Sequence, residues 1–183
     1  MQPDLTQSLG HGEEVSGPDS GERTSLCAAS KAGDLDWVQS LIDGGADPNE
    51  RSRFHRTPLH IASNKGRHDI AKIVIDHGAN VHLRDKAGQT PLHYASGYGH
   101  FDVARLLVDR GADVNAKQQN FYTPLHLASG SGHIGLVRLL LERGADVEAR
   151  DEDGRTAYQL TVRRGLGEIS ELLSKYGVHG EKR

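Results

Sequence analysis

The sequence predicts an all-α solenoid of stacked helix-turn-helix units with short inter-repeat β-hairpin loops, and three observations point there. A Thr-Pro-Leu-His phrase starts at Thr57, Thr90 and Thr123, at a fixed interval of 33 residues. A Gly-Ala-Asp/Asn phrase starting at Gly45, Gly78, Gly111 and Gly144 keeps the same interval. A degenerate echo, Thr156-Ala157-Tyr158-Gln159, lands on the next beat, and Gly177 closes the second series. Two motifs in phase define a tandem array of one supersecondary unit. Such an array offers an extended surface in place of a pocket.

Each element of the unit has a local cause. Thr57, Thr90 and Thr123 are N-cap residues, whose hydroxyls can accept from an orphan N–H of the first turn. Proline follows at the first helical position, where its missing N–H costs nothing. Leu59 and Ala62, Leu92 and Ala95, and Leu125 and Ala128 then give the first helix an apolar face. Gly66, Gly99 and Gly132 stop it. A second helix carries Ile70, Ile73 and Val74 in one unit, Val103, Leu106 and Leu107 in the next, and Leu136, Leu139 and Leu140 after that. Gly78, Gly111 and Gly144 fall just past its end, where a left-handed residue commonly terminates a helix. Asp36, Asp69, Asp102 and Glu168 sit at its start, and His77, Arg110, Arg143 and Lys175 at its end, each sign matching the macrodipole.

The period divides the chain into units at about 19–51, 52–84, 85–117, 118–150 and 151–177, a repeat domain spanning 19–177. The terminal copies are worn: Thr161 replaces an alanine, Ser170 and Ser174 replace apolar residues, and Ser40 does the same in the first unit. Polar outer faces are expected at the ends of such an array. Trp37 shares the phase of Ile70, Val103, Leu136 and Ile169, and is expected in the core. Residues 1–18 are rich in Gly, Ser and acidic residues without Lys or Arg, and read as a disordered tail. Residues 178–183 form a short polar end.

Bulk properties narrow the function. The 183 residues are 36% hydrophobic, which suits a solenoid whose core is a thin layer between neighbours. The single cysteine, Cys27, excludes an intramolecular disulfide and is expected to be a small buried residue. The sequence shows no apolar run of the ~20 residues a membrane helix needs, and no signal-peptide layout. A cytoplasmic or nuclear monomer is expected.

Eleven histidines invite thoughts of a metal, and their spacing argues against one. His60, His93 and His126 stand one per unit, roughly 10 Å apart at the spacing of packed helices. Zinc ligands must lie near 2 Å from one ion. No Ser/His or Cys/His pairing emerges, and the Gly-x-Gly pieces (Gly97 with Gly99, Gly130 with Gly132) end a helix where a phosphate loop opens one. No metal, cofactor or catalytic residue is expected.

In period and wording the chain resembles the ankyrin repeat family, whose units read Gly-x-Thr-Pro-Leu-His-x-Ala and end in Gly-Ala-Asp-Val-Asn. The resemblance implies a non-enzymatic adaptor that binds another protein on its concave face. It also implies that partners meet the hairpin tips and the exposed side of the first helices. Those positions are Arg53, Phe54, Arg56, Lys65, Lys86, Gln89, Tyr98, Gln119, Phe121, Tyr122 and Arg155, with Lys31, Asn64, Asn120, Ser131, Glu152, Asp153, Arg163 and Arg164 around them. The family's hairpin glycine is kept as Gly88 and Gly154 but is His55 and Phe121 in two units. Basic residues outnumber acidic ones in this set although the chain carries −3, so an acidic and partly apolar partner segment is expected. The resemblance leaves open a kinase or transcription-factor regulator and a subunit of the proteasome or ubiquitin pathway. Nucleic-acid binding and a purely structural role are the alternatives, and a pI near 6.4 weighs against the first. Asn49 and Asn115, each eight residues after a leucine, resemble the site of the oxygen-sensing asparaginyl hydroxylase in ankyrin proteins. A turn-stabilising role competes with that reading.

Overall fold

The computed structural model describes residues 25–178. The acidic tail expected over residues 1–18 and the end beyond Val178 lie outside the described residues.

Ten α-helices form among the described residues: α1 (Leu26–Ala32), α2 (Leu35–Asp43), α3 (Pro58–Lys65), α4 (His68–Asp76), α5 (Pro91–Tyr98), α6 (Phe101–Asp109), α7 (Pro124–Gly130), α8 (Ile134–Glu142), α9 (Ala157–Arg164) and α10 (Gly167–Val178). Odd-numbered helices pack against one another in one layer and even-numbered helices in a second. Each pair forms one unit of the predicted array. The Thr57, Thr123 and Thr156 hydroxyls accept the N–H three residues on, as the N-cap reading requires. In the first unit Ser25 is the N-cap, and the Glu50 carboxylate accepts from both the Cys27 N–H and the Ser25 hydroxyl at 2.7 Å.

The hairpin loops are tight turns, and no strand forms among the described residues. Two backbone bonds close each turn. One runs from Ser52 N–H to Arg56 O, Asp85 to Gln89, Gln118 to Tyr122 and Asp151 to Arg155, at 2.9–3.1 Å. The other runs from His55 N–H to Ser52 O, Gly88 to Asp85, Phe121 to Gln118 and Gly154 to Asp151, at 2.8–3.0 Å. Neighbouring tips are tied by one more, from Lys86 N–H to Phe54 O, Gln119 to Ala87 and Glu152 to Asn120, each 3.1 Å. The four tips therefore form a continuous row held by main chain.

One apolar core runs the length of the stack, and a small second cluster of Tyr122, Leu127 and Leu160, with Tyr98 against it, forms beside it. Leu59, Leu92 and Leu125 are buried between successive first helices, and Val74, Leu107 and Leu140 between second helices. Trp37 is half-buried against this core, and Cys27 is buried. No single helix pair could shelter such a face, so neighbouring units stabilise one another. The outer face of the last unit departs from the polar end expected of it. Tyr158 and Val162 are 43% and 54% exposed on α9. They occupy the register of Leu125 and Ser129, which the next unit covers.

The glycines that end the first helices do more than permit a turn. Gly66 and Gly99 have φ of 67° and 82°, and the ring of the next unit's His100 or His133 lies directly over each. Those imidazoles donate from Nε2 to Asn64 O and Gly97 O at 3.0 and 3.2 Å. A Cβ built on Gly99 would stand 2.7 Å from the His133 ring, whereas Gly165 (φ 70°) has nothing within 4 Å. Gly99→Ala is expected to cost about 2–3 kcal/mol, and Gly165→Ala only about 1, the backbone strain alone. Urea unfolding of the two variants measures the difference.

The basic residues ending the second helices also reach across units. Arg110 and Arg143 are the C-cap residues of α6 and α8, and they pair with Asp76 and Asp109 of the preceding unit at 2.8 and 2.6 Å. These pairs are solvent-exposed and screened, so they add little to stability.

Candidate functional site

The row of tips is built by the residue that opens each turn. Asp85 Oδ1 accepts from Ala87 N–H and Gln89 N–H, both at 2.9 Å, and Asp151 Oδ1 does the same for Asp153 and Arg155 at 3.0 and 2.8 Å. Gln118 and Ser52 take the same role with Oε1 and Oγ, at 2.9 and 3.2 Å. This turn chemistry fixes the direction of every tip side chain.

The tips themselves differ in one decisive respect. Gly88 and Gly154 adopt φ of 74° and 75°, and His55 and Phe121 are forced to φ of 60° at the same positions. The left-handed conformation costs a residue with a side chain roughly 1–2 kcal/mol. Both side chains point away from the fold: His55 is exposed and Phe121 is 51% exposed. Phe121→Gly is therefore expected to raise stability by up to about 1 kcal/mol, the relief of strain outweighing the added chain entropy. Thermal denaturation tests this sign, which is opposite to that of an ordinary Phe→Gly change.

The residues expected to meet a partner divide into three groups. Arg53, Lys65, Lys86, Gln119 and Phe121 are exposed. Phe54, Arg56, Tyr98 and Arg155 are half-buried. Gln89 and Tyr122 are 1% and 5% exposed, so they are interior residues and the expectation of a contact surface there is corrected. They occupy the returning arm of the turn, just before the Thr N-cap, and their carbonyls accept from His60 and His93 Nε2–H at 3.1 Å. Tyr122 packs edge-on against His126 and accepts from Arg155 Nη2 at 3.0 Å.

The charge of the row also departs from a uniform basic strip. Arg155 is committed to Asp151 at 2.9 Å and to Asp153, and its guanidinium is held strongly protonated by them. Arg56 lies 3.7 Å from the buried Asp85 and over the Tyr94 ring. The exposed charges run from basic at the first two tips (Arg53, Lys86) to acidic at the last (Glu152, Asp153).

Sequence reasoning passed over a column beneath the tips. Arg51, Arg84, Lys117 and Arg150 are exposed and recur at one phase. Arg84 Nη1 donates to Gly88 O at 3.0 Å and to Lys117 O at 2.5 Å, and Arg150 Nη1 to Gly154 O at 2.8 Å. The 33-residue spacing was the signal that could have found them.

Asn49 and Asn115 are used by the fold. Asn115 Nδ2 donates to Gly144 O at 3.1 Å while Oδ1 accepts from Asp146 N–H at 2.8 Å, and Asn49 spans Gly78 and Asn80 identically. Each side-chain amide clamps one unit to the next.

The repeated histidines are structural in the same way. Thr57, Thr90 and Thr123 N–H donate to Nδ1 of His60, His93 and His126 at 3.1–3.2 Å. Nδ1 is thus the acceptor and Nε2 carries the proton given to the next unit's carbonyl. Among the described residues, no three His, Cys, Asp or Glu side chains gather as a metal site would need. No described helix is long and apolar enough to cross a membrane.

Two family matches cover this architecture: ankyrin repeats (3 copies) over residues 26–118 and ankyrin repeats (many copies) over residues 107–160. The chain belongs to the ankyrin repeat family. Ankyrin repeats are in general protein–protein interaction modules, and typically non-catalytic. No curated protein matched the chain.

Proposed function

We propose that the chain is a non-enzymatic adaptor that holds a protein partner along the row of hairpin tips and the adjoining ends of the first helices. One observation carries this reading: His55 and Phe121 stand in a left-handed conformation where the two sister tips have glycine. Strain kept at an exposed position, with the side chain in solvent, serves nothing inside the fold. An exposed aromatic at the centre of a polar rim is the usual anchor of a protein interface. Arg53 stacks on Phe54 at 4.7 Å, and Tyr98 is stacked on His100 at the end of α5, widening the surface beside the tips. The basic character of the first two tips favours an acidic stretch of the partner there, and Phe121 favours an apolar residue about 20 Å further along.

The test is capture of partners by wild type and by His55→Gly/Phe121→Gly. Glycine already occupies the two sister tips, so the variant keeps the fold. Partner capture is expected to fall at least tenfold with helical content unchanged. Undiminished capture would place the partner elsewhere on the stack.

A further inference from the structure

The row of tips is complementary to itself when reversed, and from this we infer that a second copy of the chain docks antiparallel on it, forming a weak symmetric dimer. Read from the second unit to the fifth, the tip residues are His55, Gly88, Phe121 and Gly154, an alternation of large and absent side chains. Turned by a two-fold axis between the third and fourth units, the row presents Gly154 to His55 and Gly88 to Phe121. Every projecting residue meets a glycine, and every glycine meets a projecting residue. A two-fold contact uses one patch twice, so it requires this kind of self-matching order.

The charges obey the same operator. The second unit's tip carries Arg53 and the fifth unit's carries Glu152, beside an Asp153 already paired with Arg155, so the reversed row sets basic tip against acidic tip at both ends. Lys86 falls opposite the neutral Gln119-Asn120 turn. Glu152 enters no ion pair among the described residues. Parallel stacking of two copies would instead set like charges and like bulk together, which selects against it. The backbone bonds between tips hold the row in register, so little ordering is required on contact.

The size of the row sets the strength. Four tips spaced by about 10 Å extend about 30 Å, and such an edge buries less than the ~1,200 Å² of a standard interface. A Kd of about 10–100 μM is therefore expected. The contact is independent of any other partner, yet it covers the same tips, so a bound partner and the dimer exclude each other.

Sedimentation equilibrium of the full chain from about 5 μM to 1 mM tests this range. The weight-average mass is expected to rise from 19.9 kDa toward twice that value, less so at high salt. Phe121→Gly and Glu152→Arg should each weaken association at least tenfold, and Arg53→Glu combined with Glu152→Arg should restore it by exchanging the charges. A chain that stays monomeric to 1 mM overturns the inference, as does a wild-type Kd in Phe121→Gly or Glu152→Arg. A monomer that still captures partners through its tips sinks the dimer alone and leaves the adaptor reading intact.

Discussion

Lowering the pH from 6.5 to 4 is expected to unfold the array, with the buried histidines as the cause. His60 and His93 are fully buried, and desolvation lowers their pKa from 6.5 to about 4. His126 is lowered for the same reason. Protonation would place an N–H on Nδ1, which ends the bond that Nδ1 accepts from the N-cap threonine N–H. It leaves a buried cation with only the threonine Oγ1, at 2.8 Å in His60 and His93, as its acceptor on that side. The folded chain therefore resists taking up these protons, while the unfolded chain accepts them near pH 6.5. Below that value the unfolded state binds more protons, and stability falls with pH at up to about 1.4 kcal/mol per unit for each histidine. The fall levels off near pH 4, where the folded histidines also titrate. Above pH 6.5 these groups leave stability flat. His60 and His93 together remove about 6 kcal/mol by pH 4, comparable to the whole stability of many domains.

The fifth unit supplies the control. There Gln159 stands in the histidine's place, and its Oε1 accepts from Thr156 N–H at 2.9 Å in the same capping box. His93→Gln is thus expected to fold, losing about 1 kcal/mol at pH 7 with the Nε2–H bond to Tyr122 O. Its stability should then fall less steeply, by about 1.4 kcal/mol per pH unit, between pH 6 and 4.5. Urea midpoints at several pH values compare the slopes. Equal slopes in His93→Gln and wild type would mean that another group drives the acid transition.

The sequence disclosed most of the architecture because its signals are local and repeated. An N-cap Thr, a Pro after it and a Gly at the far end act within a few residues, so the five helix pairs could be placed without a structure. The single phase of His60, His93 and His126 was legible, but their clamping role was not, because it depends on the carbonyl that the next unit brings to each Nε2. Gln89 and Tyr122 were misplaced because a turn arm has period two, and a one-residue choice decides between solvent and interior. The row of charge was misjudged because Arg155 reads as a free cation until its turn places Asp151 and Asp153 beside it. The strained tips were half legible: the missing glycines at His55 and Phe121 could be seen, and the positive φ could not.

Removing the Asp85 carboxylate is expected to be the most damaging change to one side chain outside the apolar core. Asp85 and Tyr94 are nine residues apart and meet because α5 folds back over the turn that precedes it. The Tyr94 hydroxyl donates to Asp85 Oδ2 at 2.7 Å, and the ring lies edge-on to His60 of the unit before. Burial, reinforced by the neighbouring carboxylate, raises the Tyr94 pKa, so the phenol remains a donor. In Asp85→Ala two turn amides and a fully buried hydroxyl lose their acceptor at once, and Arg56 loses its carboxylate. A loss of about 3 kcal/mol is expected, and about 1 for Asp85→Asn, which keeps an acceptor for the turn as Gln118 does in the fourth unit. Tyr94→Phe should cost about 1–2 kcal/mol. In the double variant Asp85→Ala/Tyr94→Phe the orphaned hydroxyl is gone, so the losses should fall short of additivity by at least about 1 kcal/mol. Additive losses in urea unfolding would show that the two groups act separately. A shortfall would show that the turn opening the third unit, with the tip carrying Lys86, is held to α5 through this one buried contact.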